Sequence, residues 1–181
     1  MSMRYKFKAA ENVITGLNPG EQARLGNICS EIQTAENLLL EAAQEILDDC
    51  GRKCRGLCCR NIHIDDIITL LDCVHILATA PAIHPLINET LVKEGLYSAD
   101  CIFLKGGTGP CLFPSDARPE KCIVSFCRGD ERVAGEIRAV RKSFNRLSRF
   151  IYLRRLRAAM HFLFSSGALG KAAGPSGPPT A

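Results

Sequence analysis

The sequence predicts a mainly α-helical protein, a small helical bundle with a cysteine-rich metal-binding loop and hairpin region. Two long segments repeat apolar residues at spacings of three and four, which is typical of amphipathic helices. Aromatic residues make up only 6% of the chain and Trp is absent, so few residues favour strands. Eight of the ten cysteines fall into two clusters, at positions 50–59 and 101–127. We therefore expect a single metal-binding domain over residues 1–165 and a disordered Gly- and Pro-rich tail over 166–181.

Residues 1–17 show no clear period, and the first predicted helix covers about residues 20–49. The segment Asn18-Pro19-Gly20-Glu21 is typical of a helix start. One apolar stripe follows, which Leu38, Ala43 and Leu47 widen. The stripe consists of Leu25, Ile28, Ile32, Ala35, Leu39, Ala42 and Ile46. The opposite, polar face is acidic and consists of Glu21, Glu31, Glu36, Glu41, Glu45, Asp48 and Asp49, with Arg24 as the one base.

Two shorter helices are predicted next, and both are interpreted as supports of the core. Asp65 and Asp66 are suited to cap a helix that runs on to Pro81. The third helix is expected from Pro85 to Glu94. After it, the sequence predicts two short strands around a glycine turn, then a loop at 115–121. The strands would be Cys101-Ile-Phe-Leu and Cys111-Leu-Phe-Pro.

A long basic helix is predicted over residues 129–164. Its apolar positions are Val133, Ile137, Val140, Phe144, Leu147 and Ile151 and, after a drift in phase, Leu156, Met160 and Leu163. Its arginines could contact nucleic-acid phosphates, the segment from Arg154 to Phe164 could lie on a membrane surface, or the helix could pair with the acidic helix. The net charge is only +4, and the third interpretation needs no further partner. We favour it, and nucleic-acid binding is the less favoured alternative.

The cysteines form two clusters, and the first is Cys50-Gly-Arg-Lys-Cys54-Arg-Gly-Leu-Cys58-Cys59. The N-terminal residues lack the apolar segment of a secretory signal, and no apolar run reaches membrane-spanning length. We therefore expect a cytoplasmic protein, and in a reducing cytosol clustered cysteines favour metal binding over disulfides. The predicted metal ligands are Cys50, Cys54, Cys58, Cys59, Cys101, Cys111, Cys122 and Cys127.

Zinc and iron–sulfur clusters both accept four thiolates, so the ligands alone do not separate them. Cys58 and Cys59 are adjacent in the chain, and neighbouring side chains do not easily reach one centre. Two centres or one polynuclear centre are therefore expected. The adjacent pair and the eight clustered thiols favour an iron–sulfur cluster over zinc.

The two clusters together resemble the CxxCxxCC family, the YkgJ-like zinc- or iron-chelating proteins. The resemblance covers about residues 50–127 and includes the run ending in Cys58-Cys59, Cys101-Ile-Phe-Leu, Gly109-Pro-Cys111 and Arg118-Pro119-Glu-Lys-Cys122. This chain has three residues between its first cysteines where the family has two, so the match is closest at Cys58, Cys111 and Cys122. The resemblance implies a bound metal, and one branch of the family resembles flagellin lysine methylases.

The expected function is that of a metal-binding protein with an electron-transfer, metal-handling or accessory role beside a protein partner. The alternatives are a cluster-dependent enzyme for redox or methyl-transfer chemistry, and a zinc-stabilised nucleic-acid-binding module. No catalytic constellation is evident in the sequence. Cys29 and Cys73 are interpreted as core residues rather than ligands. Arg118 is either a solvated turn residue or a donor to a sulfur or a carbonyl.

Overall fold

The structure is a computed structural model that describes residues 2–53, 63–92, 101–105, 111–126 and 130–167, with no side-chain description at 49–53, 130, 158 and 161–167. The chain divides into two compact units, Met1–Leu147 and Ser148–Ala181. The described residues are 81% helical, with eight α-helices and no strand, which confirms the predicted fold class. The single metal-binding domain expected over 1–165 remains a prediction.

The α-helices of the described residues are numbered in chain order. In chain order they are α1 (Met3–Thr15), α2 (Pro19–Ala42), α3 (Gln44–Lys53), α4 (Ile64–Ile67), α5 (Leu70–Thr79), α6 (His84–Val92), α7 (Glu120–Val124) and α8 (Ala134–Gly167). Short 3₁₀ helices at Pro81–Ile83 and Asp130–Val133 precede α6 and α8.

Helix α5 lies at the centre of the first unit. It packs against α1 and α2, and α1 also contacts α6. Every residue from Asp72 to Leu77 is buried, so α5 is covered on all sides rather than on one stripe. A helix surrounded in this way brings its polar residues into the core, where each of them needs a partner.

Helix α1 was not predicted. Its buried residues include Met3, Phe7 and Ala10, which have helical spacing, but charged residues interrupt the pattern. Lys6 is one of these and is itself only 6% exposed. Its Nζ donates hydrogen bonds to the carbonyl oxygens of Asp65 and Ile68, the latter at 2.6 Å. Lys6 therefore joins α1 to the end of α4.

Helix α2 begins as predicted and ends earlier. The Asn18 side chain accepts a bond from the Glu21 backbone, and the Glu21 carboxylate accepts one from the Asn18 backbone, a capping box. The stripe is buried from Leu25 to Leu39. The helix then breaks at Ala43, so the single helix expected over 20–49 is wrong, and α3 continues to Lys53. Leu38 does not widen the buried stripe, because it is 54% exposed.

The predicted cap of the second helix is also wrong. Asp65 and Asp66 lie in the first turn of the four-residue helix α4, whose N-cap, His63, makes no side-chain capping bond. The longer helix α5 begins after Thr69, where Thr69 and Asp72 form a capping box. Thr69 fits because its hydroxyl accepts from the Asp72 backbone while Asp72 accepts from the Thr69 backbone.

The region after α6 has less regular structure than predicted. Among the described residues, the pairing of the two expected strands is limited to one antiparallel bridge between Leu104 and Cys111. The loop expected at 115–121 ends early, because α7 begins at Glu120. Helix α6 starts at His84 and ends at Val92.

Helix α8 confirms the predicted apolar stripe in its first half. Val133, Ile137, Val140, Phe144 and Leu147 are all buried. No single helix among the described residues is long and apolar enough to cross a membrane. The bent pair Leu70–Thr79 and Pro81–Val92 has the required length and composition when the two helices are taken together.

Candidate metal centre

Two of the predicted ligands lie at the antiparallel bridge: Cys111 forms it with Leu104, and Cys101 is three residues before Leu104. The Leu112 backbone donates to the Phe103 carbonyl at 2.7 Å, and the Leu104 backbone donates to the Cys101 carbonyl at 3.0 Å. These bonds turn the chain tightly at Cys101 and bring the segment that begins at Cys111 alongside it. Cys101 is buried, and Cys111 is partly exposed.

Aromatic packing fixes this bridge to the bundle. The Phe103 and Phe113 rings lie 4.6 Å apart between centroids, and Phe103 meets Phe7 of α1 edge-on at 6.4 Å. Phe103 is 1% exposed and Phe113 is 3% exposed. Because both rings are buried, they attach the backbone at Phe103 and Phe113 to the core of the bundle.

The surroundings of Cys101 disfavour its free thiolate. Burial raises its pKa, a bond from the Phe103 backbone lowers it, and the charge of a Cys111 thiolate raises it again. A metal bound to the Cys101 sulfur would oppose the effect of burial, because a bound metal favours the thiolate form.

Cys122 lies on α7, which is attached to the start of α5 through Asp72. The Asp72 carboxylate is buried, and its Oδ1 accepts a bond from the Glu120 backbone at 2.7 Å. Its Oδ2 accepts from the Thr69 backbone and the Thr69 hydroxyl, each at 2.6 Å. One carboxylate thus orders two helix starts. Cys122 itself is exposed.

The other predicted ligands lie outside what the structure describes. Cys50 is in α3, with no description of its side chain, and the remaining four are outside the described residues: Cys54, Cys58, Cys59 and Cys127. Within the described part, no three His, Cys, Asp or Glu side chains are grouped to hold a metal ion. The eight-cysteine ligand set therefore stays a prediction.

Arg118 stands close in sequence to these ligands and has a buried donor. Its Nε is buried and makes no hydrogen bond to any described residue. A buried N–H of a charged group is costly to leave unpaired, so an acceptor is expected in this region. Arg118 as a whole is half-buried, so both interpretations of its role stay predictions.

The cysteines predicted to lie outside the ligand set are in the core, as expected. Cys29 is 3% exposed on α2, and Cys73 is fully buried on α5. Burial, with a smaller effect of the Glu36 charge, raises the pKa of Cys29 to about 12. Burial and the charge of Asp72 raise the pKa of Cys73, against weaker opposing effects of Lys6 and the backbone. Both thiols behave as small apolar side chains.

Two ion pairs between described residues join the acidic and basic helices. Arg146 of α8 contacts Glu31 of α2 through its guanidinium. Arg132, just before α8, lies 3.8 Å from Glu45 of α3. The expected pairing of oppositely charged helices is confirmed at these positions. The side chains involved are exposed, so each pair adds little to stability.

A buried pair that the sequence analysis missed, Glu36 and His75, lies elsewhere in the bundle. Glu36 was assigned to the polar face of α2, yet its side chain has no exposed surface. The signal was present, because Glu36 is four residues after Ile32 and three before Leu39, both in the buried stripe. His75 on α5 faces it and meets the ring of Phe144 at 5.5 Å.

The whole chain matches no protein-family model, no curated protein and no solved structure. The resemblance of its cysteine clusters to the CxxCxxCC family stays a prediction.

Proposed function

We propose that this chain is a metal-binding protein that holds an iron–sulfur cluster, or alternatively zinc, through its eight clustered cysteines. The separation of the cysteines into two kinds carries the proposal. The two outside the clusters, Cys29 and Cys73, are buried in the bundle. The eight others are concentrated in two short stretches of sequence, the density that thiolate-bound metals require.

The surroundings of the second cluster suit an anionic metal–thiolate centre. The bridge between Leu104 and Cys111 brings Cys111 to the segment that carries Cys101, and a metal cation would offset the burial that disfavours the Cys101 thiolate. The buried Nε of Arg118 needs an acceptor, and a metal-bound sulfur is one. Hydrogen bonds to cluster sulfurs are a usual means of stabilising such centres.

An iron–sulfur cluster is the preferred occupant because of Cys58 and Cys59. Adjacent side chains are difficult to direct at one tetrahedral ion, while a polynuclear cluster or two centres can use both. The proposed role is electron transfer, metal handling or an accessory function beside a protein partner.

Anaerobic purification followed by metal and acid-labile sulfide analysis tests the proposal. A brown protein with iron and sulfide in equal amounts is the expected result. Colourless protein with stoichiometric zinc and no sulfide would replace the cluster by zinc and keep the ligand set. Protein with neither metal, even after reconstitution with iron and sulfide or with zinc, would overturn the proposal.

A further inference from the structure

The second half of α8 carries exposed apolar side chains in a basic segment. From Ile137 to Ala181 every formally charged residue is Lys or Arg. Tyr152 is 61% exposed, Leu153 49%, Leu156 58% and Met160 55%. We call these four residues the exposed apolar face. All of them belong to the second compact unit.

The exposed apolar face is continuous along the helix. Tyr152, Leu156 and Met160 follow at intervals of four, and Leu153 is seven residues before Met160. At 3.6 residues per turn these side chains cover an arc of about 100°. Ile151, by contrast, is buried and lies outside this arc. The buried apolar stripe of α8 therefore ends near Ile151. The exposed apolar face begins there and points in a different direction around the helix.

Arginines border this face on both sides. Arg155 lies about 60° beyond Tyr152 on one side, and Arg157 lies about 40° beyond Leu153 on the other. Arg149 stands at the N-terminal end of the face. All three are exposed. Long basic side chains beside an apolar stripe can extend to the phosphates of lipid headgroups, while the stripe itself enters the acyl-chain layer.

We propose that the exposed apolar face, with its flanking arginines, docks α8 onto an anionic lipid surface. Charge complementarity selects an anionic partner, and the four large apolar side chains select lipid rather than nucleic acid. Phosphates of a nucleic acid would pair with the arginines but would leave Leu156 and Met160 in water. A lipid interface covers both kinds of group. The helix lies in the interface and does not cross it.

Vesicle co-sedimentation of the full chain tests this docking. The probes are vesicles of phosphatidylcholine alone and vesicles with about one third phosphatidylserine. We expect binding to the anionic vesicles and little binding to the neutral ones. The variant R155Q/R157Q should weaken binding about thirtyfold, since each arginine near the surface contributes to the attraction. The variant L156S/M160S should weaken binding about tenfold or more, since it removes the apolar contribution.

The control removes two charges outside α8. Lys8 of α1 and Lys121 of α7 are exposed, and K8Q/K121Q should leave vesicle binding within about twofold. Circular dichroism and unfolding curves of all variants should match those of the wild type, because every substituted residue is exposed.

Several results would overturn the proposal. Absence of binding to anionic vesicles would do so, as would binding that L156S/M160S leaves unchanged, since pure charge attraction would then suffice. Binding of a short single-stranded RNA but not of vesicles would assign the arginines to nucleic acid. A dimer that L156S/M160S separates, with no vesicle binding, would assign the face to a second copy of the chain.

Discussion

Glu36 and His75 face each other in the core of the first unit, with Oε2 and Nε2 3.5 Å apart and both side chains fully buried. Neither Glu36 carboxylate oxygen nor His75 Nε2 has a hydrogen-bond partner among the described residues. On its other side the His75 ring approaches the Thr79 hydroxyl, with Nδ1 at 3.3 Å. An acid and a base are thus enclosed together with little polar support, which makes the protonation of Glu36 a determinant of stability.

Burial raises the pKa of Glu36 above the ordinary value of 4.5, against the lowering effect of His75. The charges of Asp116 and Asp72 raise it further, and the Cys29 thiol lies nearby. The folded protein therefore holds this proton more tightly than the unfolded chain does. The stability that this provides is complete below pH 4.5 and is lost as the pH rises through the folded pKa.

We therefore predict that E36Q loses less stability than the wild type as the pH rises above 4.5. Each unit by which folding raises the pKa of Glu36 corresponds to about 1.4 kcal/mol of wild-type stability that is lost at high pH and that E36Q does not lose. Urea unfolding of both proteins at a series of pH values measures it. The control E41Q removes an exposed carboxylate from the same helix and should follow the wild type. Parallel curves for E36Q and the wild type would contradict this prediction.

Thiol reactivity should separate the core cysteines from the others. In metal-free folded protein at pH 8, Cys29 and Cys73 should resist alkylation, because both are buried and their pKa values are raised. Cys122 is exposed and should react much faster. Mass spectrometry of peptides after timed iodoacetamide treatment gives the rates. In denaturant all ten cysteines should react. Equal rates for Cys29 and Cys122 before denaturation would argue against the core assignment.

Asp72 should be important for stability because it orders the starts of α5 and α7. D72A removes the capping box with Thr69 and the acceptor of the Glu120 backbone. We expect a loss of about 2–4 kcal/mol in the free energy of unfolding, from a lost cap and an unpaired buried donor. The control D66A changes an exposed aspartate and should cost less than about 0.5 kcal/mol. Similar losses for both variants would show that Asp72 has no special role.

Lys6 should stabilise the fold through the hydrogen bonds of its amino group rather than through the burial of its methylene chain. K6M keeps much of the side-chain volume and leaves the carbonyl oxygens of Asp65 and Ile68 without this donor. A loss of about 1–3 kcal/mol in the free energy of unfolding is expected. K8M, on the exposed side of α1, serves as the control. If K6M is as stable as the wild type, apolar burial alone explains the position of Lys6.

The sequence was sufficient to predict the helical class and much of the core. The stripe of α8 through Val140, Phe144 and Leu147 is buried, and so are Cys29 and Cys73. The α8 residues follow a regular period, so periodicity identifies them without knowledge of their neighbours. The two cysteines were identified by residue type, because a free cysteine outside the clusters behaves as a small apolar side chain.

Elements that depend on distant partners could not be predicted in the same way. Helix α1 was missed because charged residues interrupt its apolar spacing, and the burial of one of them, Lys6, depends on carbonyl groups near residue 65. Glu36 was placed on the polar face because its partner is on another helix. The break at Ala43 carries no Gly or Pro signal. Within the predicted eight-cysteine site, the sequence indicated one feature of the backbone: the bridge between Leu104 and Cys111 was predicted as part of a hairpin.

Metal stoichiometry in matched cysteine variants tests the metal-centre proposal most directly. The double variant C101A/C111A removes two predicted ligands, and C29A/C73A removes the two core thiols. After anaerobic purification, the first should lose most of its bound metal, while the second should keep the wild-type metal per folded chain despite its lower stability. Equal metal content in C101A/C111A and the wild type, or loss of metal only in C29A/C73A, would contradict the assignment of the clustered cysteines as ligands.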